Sequence, residues 1–352
     1  MVYDIAVIGL GPAGASFARL VDSRKFRVIA FDRKDASQPE CWTKSCGGLL
    51  SPDALRALAR FDLPIPDGVL TSPQIFSVRT LDLDSGLLRW YPRFYLNIDR
   101  SKFDLWLMSL IPDTVTVCSG AVVTSLQKAG DTYEVTWREG GIEKSILSRY
   151  VVGADGARSV VEKRCGGRGK DSLLLSLQEW YPHEGQSPFF SCVFDTCNPG
   201  SYSWSLCKGS RCVFGGAYGL RDAREAFEAQ KEKLRRQGMA LPEPLRREAC
   251  FVRRLRRPRD ICLGRGNALL IGEAAGFVSP SSLEGISGAL MSAYRLSLAF
   301  RKDGSVLRNY RRETLGMRLK YTLKIAKAAV LCSPLLRRIV MRWGVASIPV
   351  EQ

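Results

Sequence analysis

Histidine and clustered cysteine are what this sequence most clearly lacks. The 352-residue chain has one histidine, His183, and its eleven cysteines form no CxxC pair. Zinc and non-haem iron sites need more nitrogen and sulfur ligands than this, so we expect no metal. Cysteines without a paired framework, and no charged and apolar leader before Asp4, favour a reducing, cytoplasmic compartment.

Long apolar runs and acidic residues are also scarce. No stretch approaches the roughly 18 uninterrupted apolar residues that cross a bilayer, so the chain can at most lie on a membrane. The 52 Lys and Arg residues outnumber 35 Asp and Glu, for a formal net charge of +17. Such a surface attracts nucleic acid, anionic lipid or an acidic substrate. The hydrophobic content of 45% predicts a substantial core within one body of two interleaved domains.

A glycine-rich turn stands near the N-terminus. The apolar run at residues 4–8 leads into residues 9–14 (GLGPAG), and a helix-compatible run follows. In a GxGxxG turn the first glycine permits a tight bend, the second admits a pyrophosphate and the third lets the helix pack on the strand. A second apolar strand ends at Asp32, where an acid binds adenosine ribose hydroxyls and disfavours a 2′-phosphate. These features predict a dinucleotide site.

Two later segments also run from a predicted strand into a tight turn that holds an acid between small residues. They are residues 150–159 (YVVGADGARS) and 267–276 (NALLIGEAAG), and they resemble the GADG(A/S)xS and GDAAG segments of FAD-dependent hydroxylases and reductases. The resemblance places Asp155 near the pyrophosphate and flavin, and Glu273, in place of the usual Asp, near the ribityl chain. A helix beginning near Ala274 would point its positive end at the flavin.

Three further segments narrow the family. Residues 43–52 (TKSCGGLLSP), 97–104 (NIDRSKFD) and 202–208 (YSWSLCK) resemble the geranylgeranyl reductase family, which is built on the hydroxybenzoate hydroxylase-type FAD fold. Residues 73–78 (PQIFSV) and the SLEGIS run that follows residue 281 are most similar to its bacterial CbrA-like, colicin M resistance branch.

The chain departs from the family pattern at three points. Thr43 replaces a proline before CGG, Leu206-Cys207 replaces Phe-Pro, and Leu283 stands where PxxGEGI has its first glycine. Because that glycine lets backbone approach the flavin, we expect Leu283 to alter access to one flavin face.

The motifs and the resemblance together imply a set of site residues. Cys46 is the candidate proton donor, with a loop cysteine of no catalytic role as the alternative. Tyr202 and Trp204 lie two apart on a predicted strand and are either substrate contacts or core. The expected cofactor contacts are Gly9, Gly11, Pro12, Ala13, Gly14, Asp32, Arg33, Cys46, Gly47, Gly48, Arg100, Asp155, Gly156, Gly272, Glu273, Gly285 and Ile286.

The leading hypothesis for activity is reduction of a carbon–carbon double bond in a polyprenyl or related lipid by hydride from reduced FAD. With one GxGxxG in the chain, NAD(P)H would bind transiently as electron donor, or another reductant would replace it. An FAD monooxygenase acting on an aromatic or lipid shares the cofactor motifs and is the first alternative, although the CGG loop favours a reductase. A flavin-containing lipid-handling or resistance factor without turnover is the second.

The C-terminal part is rich in cations. Arginines recur from Arg246 to Arg259, and Lys and Arg alternate with apolar residues between Arg311 and Arg342, where Pro334 separates two predicted helices. Basic amphipathic helices rest on anionic lipid, here the inner face of a membrane; the alternative is a helical cover with a solvated basic face. No nucleic-acid recognition motif accompanies the charge, so nucleic acid is not an expected partner.

The predicted class is α/β (α+β): a doubly wound Rossmann-type FAD domain with an inserted antiparallel-sheet substrate domain and a C-terminal helical segment. The oligomeric state is left open. The predicted limits are 1–70, 98–170 and 250–300 for the FAD domain, 71–97 and 171–249 for the substrate domain, and 301–352 for the helical segment.

Overall fold

Two eight-stranded sheets and ten α-helices make up the described part of the computed structural model. The structure describes residues 2–38, 40, 42, 44–167, 172–183, 189–198 and 200–349. The strands are β1 (Val2–Ile8), β2 (Val28–Asp32), β3 (Leu49–Leu50), β4 (Ile75–Asp82), β5 (Leu87–Asn97), β6 (Thr116–Ser119), β7 (Val122–Ala129), β8 (Thr132–Glu139), β9 (Ile142–Gly153), β10 (Leu173–Pro182), β11 (Phe189–Phe194), β12 (Ser203–Lys208), β13 (Arg211–Tyr218), β14 (Arg246–Arg253), β15 (Gly264–Arg265) and β16 (Ala268–Leu270). The helices are α1 (Pro12–Leu20), α2 (Pro52–Arg60), α3 (Arg100–Ser109), α4 (Val160–Arg164), α5 (Ala223–Arg236), α6 (Gly272–Ala275), α7 (Ile286–Phe300), α8 (Val306–Glu313), α9 (Leu315–Cys332) and α10 (Pro334–Arg342).

The first sheet has a parallel centre in the order β16-β9-β1-β2-β6. Ile5 of β1 lies between Val28 of β2 and Tyr150 of β9. Its central strands are continuously apolar because both faces are covered; on one side α1 and α7 meet through Phe17 and Phe300, whose ring centroids lie 5.7 Å apart. This is the predicted doubly wound sheet, and it brings the three motif segments to the carboxyl ends of neighbouring strands.

The second sheet has the order β14-β10-β13-β12-β11-β4-β5-β3. Its pairs are antiparallel, as predicted, except that β4 and β11 are parallel. A parallel pair needs a long crossover connection, which the chain provides by completing most of the first sheet between these two strands. The sheet also takes in β3, and β14 continues to Arg253, beyond the predicted limit at 249.

Three helices, α8 to α10, follow α7, which confirms the predicted helical C-terminal segment. The Tyr310 hydroxyl of α8 donates a hydrogen bond to the carbonyl of Leu270 at the end of β16, 3.1 Å away. On α10, Arg337 is buried and pairs with Asp82 at 2.8 Å. In the described residues, no helix combines the length and apolarity that crossing a bilayer requires.

Candidate cofactor and substrate cavity

A cavity of about 1010 Å³ lies between the two sheets. It is lined by the carboxyl ends of β1, β2 and β9, by the CGG loop and by the inner face of the second sheet. All the predicted site residues except Gly14 and Gly272 line it: Gly9, Gly11, Pro12, Ala13, Asp32, Arg33, Cys46, Gly47, Gly48, Arg100, Asp155, Gly156, Tyr202, Trp204, Glu273, Gly285 and Ile286.

The three glycines of the N-terminal turn have three distinct surroundings. Gly9 has a φ of +95°, and a Cβ there would lie 2.7 Å from the carbonyl oxygen of Ala154. A Cβ on Gly14 would lie 1.8 Å from the oxygen of Gly9, so the helix packs directly on the turn. A Cβ on Gly11 would meet nothing within 4 Å. Gly11 therefore faces open cavity at the N-terminus of α1, where free N–H groups attract phosphate.

The turn that contains Gly9, Gly11 and Gly14 forms a cradle at the N-terminus of α1, and Asp32 lies at one end of it. Its Oδ2 accepts a hydrogen bond from the Leu10 N–H at 2.6 Å, and its Oδ1 accepts one from the Lys34 N–H at 2.8 Å. Burial raises the pKa of the carboxyl above its ordinary value, against the lowering effect of these two N–H groups. Each oxygen has a second lone pair, so the carboxylate can still accept from a ribose hydroxyl.

Asp155 lines the cavity, and one of its carboxylate oxygens has no hydrogen-bond partner. Its Oδ2 accepts the Val160 N–H at 2.7 Å, whereas its buried Oδ1 has no hydrogen-bond partner. Burial raises the pKa of this carboxyl to about 6. Since a buried polar atom without a partner costs about 1–3 kcal/mol, this oxygen together with the open space at Gly11 fits a bound polar ligand such as a dinucleotide.

Glu273 is held in place by two groups from other parts of the chain. Its Oε1 accepts the Arg253 N–H at 2.9 Å, and its Oε2 lies 3.4 Å from Lys44 Nζ. The same carboxylate raises the pKa of Lys44 above its ordinary value. The longer side chain of Glu, compared with the family's Asp, thus reaches β14 and the CGG loop.

The helix predicted to begin near Ala274 is only one turn long. This helix, α6, ends at Ala275, because the next residue, Gly276, has a left-handed φ of +92°. The long helix whose N-terminus reaches the cavity is α7, which begins at Ile286. Two helix N-termini, those of α1 and α7, therefore face the cavity and favour negative charge there.

Leu283, in the loop before α7, has a left-handed backbone. Its φ is +51°, in a loop where its N–H donates to the carbonyl of Ser279 at 2.8 Å. The side chain lines the cavity and packs against the aromatic cluster of the second sheet. The conformation is one that glycine adopts without cost, so leucine here narrows the cavity at the expense of backbone strain.

An alanine variant is usually more stable than a glycine variant at the same position, and we expect the left-handed strain to reverse this order of stability at Leu283. Both Leu283→Gly and Leu283→Ala lose the same packing, but only glycine relieves the left-handed strain, of about 1 kcal/mol. The glycine variant should be the more stable of the two by that amount in urea unfolding. Asp62, exposed and with a φ of 54°, is the matched control and should show the same order. If alanine were the more stable variant at residue 283 but not at residue 62, Leu283 would not have a left-handed backbone.

Cys46 lies where the CGG loop meets the first residue of α3, Arg100. Its Sγ is 3.4 Å from the Gly48 N–H donor and 3.4 Å from Nη1 of Arg100. Two hydrogen bonds, of 2.8 and 3.2 Å, fix the guanidinium of Arg100 against Asp104. Two N–H donors thus converge on the sulfur. Thr43, at the start of this loop, lies outside the described residues.

Lys208, the last residue of the YSWSLCK segment, anchors the same loop and had no predicted role. Its buried Nζ donates to Asn97 Oδ1 and to the carbonyl of Ile98, both at 2.6 Å, and to the carbonyl of Gly48 at 3.3 Å. Burial lowers the pKa of this ammonium group to about 8. Its place in the YSWSLCK segment was the one indication in the sequence of a role for Lys208, because its partners lie more than a hundred residues away.

Tyr202 and Trp204 border the apolar end of the cavity and are also buried, each 7% exposed. The Tyr202 hydroxyl donates to the carbonyl of Ser282 at 2.6 Å, and Trp204 Nε1 donates to Gln178 Oε1 at 3.3 Å. Their ring centroids are 6.2 Å apart. With Tyr95 and Phe190 they form an aromatic chamber that continues from the dinucleotide cradle.

One of the arginines in the predicted basic surface is buried. Arg253 is 4% exposed and contacts Glu162 at 3.1 Å and the carbonyl of Ala157 at 2.9 Å. It therefore braces the Asp155 turn against β14. The ten cysteines that the structure describes are free, and among the described residues no group of His, Cys, Asp and Glu is placed to hold a metal ion.

Solved structures of other proteins share this fold. A geranylgeranyl bacteriochlorophyll reductase-like protein from Thermoplasma acidophilum matches with a TM-score of 0.80 at 16% identity, over 96% of this chain and 90% of that one. The p-nitrophenol 4-monooxygenase PnpA of Pseudomonas putida DLL-E4 matches with a TM-score of 0.72 at 15% identity, over 97% and 93%. The fold is therefore that of FAD-dependent oxidoreductases and monooxygenases.

Sequence comparison then gives the family. Protein CbrA of Escherichia coli O6:H1 is 43% identical over 348 residues, which cover 99% of this chain and 95% of that protein. Protein CbrA of Escherichia coli K12 is 42% identical over 99% of this chain and 98% of that protein. No protein-family model matches. The chain belongs to the CbrA family, which confirms the resemblance drawn from its motifs.

Proposed function

We propose that this protein is an FAD-dependent oxidoreductase that reduces a carbon–carbon double bond of a polyprenyl or related lipid. The observation that carries the proposal is that one continuous cavity is lined by the glycine turn, by Cys46 and by the aromatic chamber. The likeness to a reductase-like fold supports it. A cavity of this size suits a cofactor together with part of an apolar substrate.

The residues present are suited to FAD. The backbone at Gly11 and the N-terminus of α1 would hold the pyrophosphate, and Asp32 would bind the adenosine ribose. The free Oδ1 of Asp155 and the carboxylate of Glu273 would accept hydrogen bonds from the cofactor's hydroxyl groups. When bound and reduced, FAD supplies a hydride; NAD(P)H or another reductant that binds transiently would provide the electrons.

The chain's own residues would orient the lipid and deliver the proton. Tyr202 and Trp204 would hold an apolar chain and exclude water. With the hydride that reduced FAD would supply to one carbon of the double bond, the Cys46 thiol would give its proton to the other carbon, so that two C–H bonds would replace the π bond and a thiolate would remain. The N–H groups of Gly48 and Arg100 stabilise the negative charge on sulfur, and solvent returns the proton.

The proposal is tested by reducing the FAD-loaded protein without oxygen and following flavin absorbance as polyprenyl lipids are added. Reoxidation by a lipid whose mass gains two hydrogens supports a reductase. Reoxidation only by air, with an oxygenated product, would assign the protein to the monooxygenases instead. A reduced flavin that neither lipid nor air reoxidises would favour a binding protein without turnover.

Replacing Cys46 tests the proton donor separately. Cys46→Ala should slow lipid-dependent reoxidation about 100-fold, the lower end of the range for general acid catalysis, while FAD remains bound. Cys250, another cavity cysteine whose Sγ donates to the carbonyl of Ser45 at 3.4 Å, is the matched control. Equal rates for Cys46→Ala and Cys250→Ala in stopped-flow measurements would remove Cys46 from the reaction.

A further inference from the structure

We infer that the outward faces of α9 and α10 dock on an anionic membrane. The inference concerns a surface apart from the cavity and stands whether or not the protein reduces lipids. It rests on three features: an apolar stripe on α9, a second apolar face with a tryptophan on α10, and a strong excess of cations around both.

Helix α9 presents leucines directly away from the protein. Tyr321 and Ala328 are buried on its inner side. Leu315, Leu319 and Leu323 are 64%, 62% and 66% exposed, and their spacing of four residues places them on one face of a helix, opposite Tyr321. A helix that only covers a core would place such leucines inward, so this stripe is available to a partner.

Helix α10 repeats the arrangement. Arg337 and Met341 are buried on its inner side. Leu335 and Ile339 are 68% and 42% exposed, and Trp343 at the helix end is 80% exposed. Tryptophan beside apolar residues and cations is typical of helices that lie in a membrane interface.

Charge distinguishes a membrane from a second copy of the chain as the partner. Residues 306–343 contain ten Lys and Arg and one acid, Glu313. Glu313 is already paired with Arg295 at 3.2 Å and with Lys302. Two copies meeting through this surface would bring two sets of cations together, which is unfavourable, whereas anionic lipid attracts each cation by about 1 kcal/mol.

A recess beside the α9 stripe strengthens the case for lipid headgroups. It has a volume of about 210 Å³ and lies between α2, α7 and α9. Arg56, Arg60, Lys320 and Lys324 line it, with Asp53 as the acid among them. Lys320 is paired with Asp53 at 2.6 Å, which leaves an excess of positive charge suited to a phosphate group.

Flotation with vesicles tests the inference. We expect the FAD-loaded, full-length protein to float with phosphatidylcholine vesicles that contain about one third phosphatidylglycerol, and not with phosphatidylcholine alone. Binding should weaken as salt rises. The double variant Leu319→Glu with Leu323→Glu should reduce the bound fraction at least about tenfold. Ile142→Glu, at a residue 63% exposed on β9, is the matched control and should bind as the unmodified protein does.

Two outcomes would overturn the inference. Equal vesicle binding by the α9 double variant and the Ile142 variant would show that the stripe is not used. Absence of vesicle binding, together with a dimer in sedimentation velocity that only the α9 variant abolishes, would assign the stripe to a second copy. Retention of bound FAD and an unchanged far-UV circular dichroism spectrum would show that each variant remains folded.

Discussion

Replacing Gly11 with leucine is expected to abolish tight FAD binding while leaving the fold intact. The backbone of Gly11 has a φ of −65° and a ψ of −173°, which any residue can adopt. A Cβ there meets no protein atom within 4 Å, so the new side chain enters the space proposed for the pyrophosphate. We expect the dissociation constant of FAD to rise at least about 1,000-fold, or about 4.1 kcal/mol.

The measurement is a fluorescence titration of the apoprotein with FAD, beside urea unfolding of the same apoprotein. Gly68, exposed and also without an atom within 4 Å of a Cβ, supplies the control: Gly68→Leu should bind FAD normally. If Gly11→Leu retained FAD with unchanged affinity, the cradle would not hold the cofactor. If Gly11→Leu failed to fold, the space around Gly11 would be too small for a side chain.

The second large effect is expected at Asp155. The pKa of its carboxyl is about 6 in the folded protein because of burial, against an ordinary value of 3.8. Between pH 3.8 and 6 the folded state therefore binds more protons than the unfolded state, and the free energy of unfolding falls as pH rises through this window. Above pH 6 the full cost, about 3 kcal/mol, remains.

Asp155→Asn should remove this cost from the apoprotein. An amide keeps the shape and can still accept the Val160 N–H, but it carries no charge. We expect the variant to gain about 3 kcal/mol in free energy of unfolding at pH 7 and almost nothing near pH 4, measured by urea unfolding without FAD. Its affinity for FAD should fall about tenfold, because a charged acceptor is lost.

The pH dependence separates this explanation from a simple gain in packing. A gain in stability for Asp155→Asn that is equal at pH 4 and pH 7 would show that the carboxyl is not strained by burial. The predicted opposition of stability and cofactor affinity is common where a site is prepared for a ligand.

Several parts of the site could be predicted from the sequence because they depend on residues that are close together in the chain. The turn at Gly9 needs a positive φ, and Gly14 must be small enough for the helix to pack against the turn. Both requirements arise within the six residues from Gly9 to Gly14. The apolar runs at residues 4–8 and before Asp32 likewise predicted strands of the first sheet. The carboxyl ends of parallel strands lie along one edge, so the three motif segments were expected to meet, and they do.

Other parts depended on partners far along the chain. Arg253 belongs to a run of arginines that is typical of an exposed surface, but it is buried and paired with Glu162. Lys208 is buried as well and donates a hydrogen bond to Asn97. Nothing near either cation in sequence indicates this, because burial of a charge is decided by the group that compensates it.

The sequence by itself determined the motifs, the order of the elements and the class of fold, since glycine geometry and apolar periodicity act over a few residues. Only the tertiary structure decided that Gly11 faces open space, that Asp155 keeps a free oxygen, and that the leucines of α9 point outward. Each of these depends on which distant segments pack nearby, and that packing sets burial, charge and access.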